Sequence, residues 1–337
     1  MAMCGRVVLL FTFVCVLSHL PQSQHMREES NKRSIQLSVC DEPNVYVAVL
    51  TMKRPASLAR LLRSLKRVKF ACKAVDLAIY IDKLPNEAHC TKTVTLVNQF
   101  SWQHGSKSVI LQENNVGLSE NWFSVRPCKK YDYIMILEDD LEVSSSFYTL
   151  LSFLHLHTRF SSPSLSGFCM HPSDWEVPVS LNCSARSTVA SGMVFYESPE
   201  PCNWAPLWRE TSWYEFLAWV DTLKSLDTLP YVPEAIGYNY NAYLDKGLDV
   251  QSPWVWRFHW EVNKTFLRHS FTKCGIGGVE KYFAINHKEP GVHYKKRGKM
   301  KSRILTASEF SKIHLNELDV YPFSGYVPFG SSLIPKP

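Results

Sequence analysis

The sequence predicts an α/β domain with a mostly parallel sheet flanked by helices, and three observations predict it. Short apolar runs rich in β-branched residues recur at 45–50, 75–81, 108–111 and 133–137. Between them, leucines and other apolar residues fall at helical spacing, and strands alternating with helices over about 100 residues imply right-handed βαβ units. The fourth run stops abruptly at Glu138-Asp139-Asp140. An apolar run bounded by charge reads as a strand buried on both faces, and open α/β sheets bind ligands at the carboxyl ends of such strands.

The elements follow in order. The strand at 45–50 breaks at Thr51-Met52-Lys53-Arg54-Pro55, and Pro55 suits the first turn of a helix carrying Leu58, Leu61, Leu62 and Leu65. The strand at 75–81 ends on Asp82. Val94, Leu96, Val97 and Phe100 mark a short helix, and 108–111 is a third strand. Asn114-Asn115-Val116-Gly117-Leu118 is a turn signal ahead of a helix at 119–125; its glycine permits close approach of a ligand, and turn chemistry alone also explains it. After the central strand, Phe147, Leu150, Leu151 and Leu154 give a helix at 145–160 its apolar face. From 172 to 260 the chain is rich in Pro and holds eight of the ten tryptophans. Their rings suit sugar faces or, more commonly, core and interface mass.

With 337 residues, 45% of them hydrophobic, the chain can bury a sizeable core in one large domain or two small ones. Arg6, an apolar run at 7–17 and Ser18-His19-Leu20-Pro21 form the pattern of a secretory signal. The run falls short of the roughly 20 residues of a membrane span. Residues 1–23 are therefore expected to be a signal peptide or a short signal-anchor, with a membrane involved only if the segment stays uncleaved. Arg27, Lys32 and Arg33 do not support the orientation an anchored lumenal domain needs. The expected location is the secretory-pathway lumen, Golgi or ER, or outside the cell, and nucleic acid is not an expected partner. Beyond Cys4 and Cys15, eight cysteines are scattered with no CxxC pair, which favours disulfides, Cys202 among them, over a zinc site. Asn182-Cys183-Ser184 and Asn263-Lys264-Thr265 are glycosylation sequons usable in that compartment.

Three adjacent carboxylates repel and call for compensation. A divalent cation, Mn²⁺ or Mg²⁺, supplies it and commonly shares substrate phosphates. The competing reading is an acidic turn capping the following helix. Thr51, Lys53, Arg54 and Asp82 sit at the carboxyl ends of the first two strands, on the same edge. No GxGxxG or GxxxxGK[ST] occurs, so dinucleotide and P-loop readings lose their support. His293 precedes the basic run from Lys295 to Arg303. It is a candidate metal ligand, and the run either neutralises a diphosphate or is a solvated face.

These residues carry a resemblance. Val45 through Arg54, Ile79-Tyr80-Ile81-Asp82, Asn115-Val116-Gly117-Leu118 and Leu137-Glu138-Asp139-Asp140-Leu141 resemble the GT-A glycosyltransferases, family-2-like and N-acetylglucosaminyltransferase-I-like, over about residues 44 to 160. The resemblance implies a GT-A fold at 44–303, with a nucleotide-binding half (44–160) and an acceptor-binding half (161–303). A stem at 24–43 precedes it and a C-terminal tail at 304–337 follows. It implies an inverting transfer from a nucleotide-sugar donor, UDP-linked with UDP-GlcNAc as the candidate, to a glycan or glycoprotein. It assigns Asp140 and His293 to Mn²⁺, and Glu138 and Asp139 to ribose and donor sugar. Thr51, Arg54, Asp82, Asn115 and Gly117 are assigned to the nucleotide. The relatives' acidic residue near Trp254-Val255-Trp256 is missing, since Val255 stands there; Asp249 and Glu261 are the substitute candidates for the base. That departure keeps open an inactive GT-A domain that binds nucleotide or glycan in the lumen.

Overall fold

The computed structural model describes residues 42–70, 73–158, 163–171, 193–271, 281–286, 303–304, 306–311 and 320–321. All of them belong to the unit Val39–Pro337. The signal, most of the stem, the first sequon, His293 and most of the basic run lie outside the described residues. No helix among the described residues is long and apolar enough to cross a membrane.

The first half alternates as expected: β1 (Val45–Thr51), α1 (Pro55–Lys66), β2 (Asp76–Ile81), α2 (Thr91–Gln99), β3 (Lys107–Leu111), α3 (Gly117–Phe123) and β4 (Tyr133–Glu138). Then come β5 (Leu141–Val143), α4 (Phe147–Thr158), β6 (Leu165–Cys169), β7 (Met193–Ser198), β8 (Pro206–Arg209) and α5 (Glu210–Ser225). They are followed by α6 (Glu234–Asp245), α7 (Ser252–Val262), β9 (Thr265–Phe271), β10 (Lys281–Tyr282) and β11 (Ala284–Asn286). The last are β12 (Arg303–Ile304), α8 (Ala307–Phe310) and β13 (Val320–Tyr321).

One sheet runs β13-β7-β9-β6-β8-β4-β1-β2-β3. β4, β1, β2 and β3 are parallel, as predicted. The later half joins the same sheet through β8, antiparallel to both β4 and β6. The result is a mixed α/β sheet with a continuous parallel core.

Alternation along the strands divides the interior into two layers. Val45, Val47 and Val49 of β1 and Met135 and Leu137 of β4 point to one face, covered by Leu58, Leu61, Leu62 and Leu65 of α1 and by α4. Tyr46, Ala48, Leu50, Ile134 and Ile136 point to the other, covered by Trp208, Trp213, Phe216, Trp254 and Phe258. Ile134, Met135, Ile136 and Leu137 are fully buried, each contributing about 1.5–3 kcal/mol relative to exposure. The tryptophans of the second half are thus largely core: Trp208 stacks on Phe216 at 5.2 Å between ring centroids, and Trp213 Nε1 donates to Val125 O at 2.8 Å.

Two expectations need adjustment. α3 begins at Gly117 and ends at Phe123, two residues before the predicted span at each end. Carboxylates from elsewhere fix its start, and Pro127 keeps Arg126 out of helical geometry. The acidic triplet does not cap α4, because β5, paired antiparallel with β11, intervenes.

Candidate functional site

Strand order places the site. β1 leads to β2 and β3 on one side, and the chain returns to lay β4 on the other side of β1. The order reverses between β1 and β4, and the carboxyl ends at such a switch point form a crevice. Thr51 and Arg54 follow β1 there, and Glu138, Asp139 and Asp140 follow β4, with Leu50 directly beside Glu138.

The two strand ends are stitched together. Thr51 Oγ1 donates to Asp139 Oδ2 at 2.7 Å. The Arg54 guanidinium pairs with Asp139 and donates to Asp140 Oδ2 at 3.1 Å. Arg54 therefore supplies part of the compensation the acidic triplet demands. One guanidinium does not balance three carboxylates, and the remainder shows in their acidity. Burial, then the Asp140 charge, pushes Glu138 up to about 8. Burial pushes Asp139 up to about 6 against the pull of Arg54 and Thr51.

Asp82, at the end of β2, is 5% exposed and fully engaged. It accepts from Lys83 N at 2.8 Å, Val116 N at 2.9 Å, Gly117 N at 3.1 Å and Asn115 Nδ2 at 3.1 Å. Asn115 also donates to Lys83 O at 2.6 Å. Asp82 and Asn115 hold the 115–117 turn in place. Gly117 has φ of +80°, and a Cβ on it would lie 2.2 Å from Asp249 Oδ2. What approaches this glycine closely is a carboxylate of the chain itself. Asp249 also accepts from Ser119 N at 3.3 Å, and burial raises its pKa above the ordinary carboxylate value.

Two residues beyond Asp249, Gln251 Nε2 reaches Glu138 Oε1 at 3.5 Å. Gln251 is 4% exposed and was not among the sequence candidates; it lies just ahead of α7 with no motif around it. Through it, the tryptophan-rich second half touches the acidic triplet. The structure thus gathers Thr51, Arg54, Asp82, Asn115, Gly117, Glu138, Asp139, Asp140 and Asp249 along one edge. It does not bring Glu261 there. Glu261 sits in the last turn of α7, about 15 Å along the helix axis from Gln251, bonded to Arg257 Nε at 2.6 Å and Trp219 Nε1 at 2.7 Å. Val255, where the relatives' acid is expected, is buried in the core. His293 lies outside the described residues.

A divalent cation fits the acids in one respect. Asp140 Oδ1 is a buried acceptor with no hydrogen-bond partner. No group of three His, Cys, Asp or Glu among the described residues is arranged to hold a metal. Mg²⁺-like ions need none, since they use one or two carboxylates, waters and substrate phosphates.

The wall beside the crevice is fastened by a disulfide. Cys169 at the end of β6 bonds Cys202, as favoured for Cys202 from sequence. Nearby, Asn203 Oδ1 accepts from Ser252 Oγ at 2.7 Å at the start of α7. Cys90 and Cys128 are free, and Cys40, Cys72, Cys183 and Cys274 lie outside the described residues.

Residues 56–229, more than half of the chain, match the family described as "SPBC1E8.03c C-terminal domain". The chain belongs to this family. The matched span includes Asp82, the 115–117 turn and Glu138 to Asp140. No curated protein matches the chain in sequence. Among solved structures it is similar to the mannosyltransferase PcManGT of Pyrobaculum calidifontis in complex with GDP-Man and Mn²⁺. The identity is 12% and the TM-score 0.37, covering 53% of this chain and 47% of that one. It is also similar to residues 1–349 of TarS from S. aureus in complex with UDP-GlcNAc. There the identity is 13% and the TM-score 0.40, covering 75% of this chain and 61% of that one. The chain spans less than two thirds of the length of either.

Proposed function

We propose that the chain is a metal-dependent glycosyltransferase of the secretory-pathway lumen, moving a sugar from a nucleotide-diphosphate donor to a hydroxyl of a glycan or glycoprotein. The observation that carries this reading is the meeting of Arg54 with the acidic triplet at the switch point between β1 and β4. Asp140 and His293 would hold Mn²⁺ or Mg²⁺, which when bound neutralises charge on the departing diphosphate. Arg54 offers a planar fork suited to phosphate oxygens. The turn held by Asp82 and Asn115 lines the nucleotide side, and Glu138 and Asp139 face ribose and donor sugar. Asp249 is the better placed of the two base candidates. It would take the proton of the acceptor hydroxyl as that oxygen attacks the anomeric carbon, inverting it. A UDP-sugar is the donor to try first, beginning with UDP-GlcNAc.

One set of contacts favours a second reading, a nucleotide- or glycan-binding domain without turnover. Arg54 occupies two carboxylates, Asp249 is drawn to α3, and Glu261 is remote. Release of UDP from a panel of UDP-sugars, with Mn²⁺ and with EDTA, separates the two. The first reading expects release that EDTA abolishes and that Asp140→Ala lowers by about 10²-fold or more. Binding of UDP and Mn²⁺ without release, across varied acceptors, supports the second. No nucleotide binding at all overturns the first reading and leaves only the glycan-binding form of the second.

A further inference from the structure

We propose that Asn263 carries an N-linked oligosaccharide, attached before β9 docks into the sheet. The proposal rests on the lumenal part of the functional reading and not on its transfer chemistry. Asn263-Lys264-Thr265 is a sequon with no proline at its middle position. The structure presents its asparagine outward. Asn263 is exposed and ends α7 in the left-handed conformation, φ 52° and ψ 52°, so the chain leaves the helix there. Val262 beside it is 37% exposed. Trp260, three residues earlier, is only partly buried, with the Arg257 guanidinium 5.0 Å from the centre of its ring.

The third sequon residue sets the timing. Thr265 is 2% exposed; its hydroxyl donates to Glu197 Oε2 at 3.1 Å and its N–H to Ser164 O at 2.9 Å. A modifying enzyme that must read this hydroxyl finds it free only while β9 is unpaired. The step requires a lipid-diphosphate-linked oligosaccharide as donor. The Asn263 amide nitrogen forms a bond to the anomeric carbon, the bond from that carbon to the diphosphate oxygen breaks, and the amide proton passes to solvent. The lipid diphosphate leaves with the bonding electrons. The attachment point lies about 18 Å along α7 from Gln251, so the glycan leaves the crevice open.

The test expresses the full chain in a secretory host with Asn182→Gln, leaving one sequon, and treats it with an amidase that releases N-glycans. The expected result is one mobility step and conversion of residue 263 to aspartate in its tryptic peptide. The step disappears in Asn263→Gly, which keeps the left-handed backbone, and persists in Thr265→Ser, which keeps the hydroxyl. Folded protein from a bacterial host, given the lipid donor and lumenal membranes, stays unmodified while a peptide of residues 258–270 is modified. Secreted, folded protein with an unmodified Asn263 overturns the proposal, as does retention of the chain in the cytosol. Modification of the folded bacterial protein overturns the timing. UDP release varies independently of every one of these results.

Discussion

A methyl group at Gly117 would fall 2.2 Å from Asp249 Oδ2, at a φ of +80° that L side chains seldom adopt. Both constraints act at once, so Gly117→Ala is expected to lower stability by about 1–3 kcal/mol. Nucleotide affinity should fall with it, because the 115–117 turn moves. Denaturant unfolding measures the first effect and UDP titration the second. Combining it with Asp249→Ala removes the steric conflict but not the backbone strain, so the double variant should lose less than the sum of the singles. Wild-type stability in Gly117→Ala would refute this account. The sequence made the glycine legible as a point of close approach. It hid what approaches, since the carboxylate comes from 130 residues beyond Ser119. Arg54 is similar: its place on the crevice was readable, its pairing with the acids was not, because like-charge repulsion alone does not say which cation answers it.

The same difference recurs between elements. β1 to β4 were readable because each is a compact apolar run, and the helices between them announce their faces by spacing. β6 and β8 were not, being short, rich in Gly, Pro or Trp, and stabilised by partners far along the chain. Their junction depends on the Cys169–Cys202 bond, which closes a separation of 33 residues. Loop-closure entropy for that length gives about 3–4 kcal/mol. Replacing both cysteines by alanine should lower the unfolding free energy by that order without moving the β1–β4 crevice. The check is denaturant unfolding beside UDP titration. A variant as stable as the wild type would mean the β6–β8 junction is held by packing alone, whereas lost UDP binding in a folded variant would show that the wall shapes the crevice.

Across the whole molecule, the parallel half and the tryptophan-rich half share one sheet and one interior, so acid stability belongs to both. His259 of α7 lies inside the tryptophan-rich half, against the strands that carry it into the shared sheet. Its Nδ1–H donates to Pro199 O at 2.9 Å, its Nε2 accepts from Ser166 Oγ at 3.0 Å, and Trp208 and Phe266 pack on its ring. Burial first, then the Arg268 and Lys264 charges, pushes its pKa from 6.5 down to about 3; His269 falls to about 4 by burial. With a depressed folded value, the unfolded chain binds the proton first as pH falls. The stability of neutral His259 is therefore fully present above 6.5 and drains at about 1.4 kcal/mol per pH unit toward 3. The raised carboxyls of the crevice act in the opposite sense over part of this range, and Asp76, lowered to about 2 beside Tyr131 and Ser106, begins to lose its contribution only below 3.8. The difference between wild type and His259→Gln isolates the histidine from both. Measured by denaturant from pH 7.5 to 5, the variant should be less stable at the neutral end, where a good core contact is gone. Its loss on acidification should be shallower than that of the wild type by about one proton's slope. Parallel pH profiles would mean that His259 titrates alike folded and unfolded, its site opening to water as the pH drops. Converging profiles would show that one buried imidazole sets much of the acid limit of the sheet it joins.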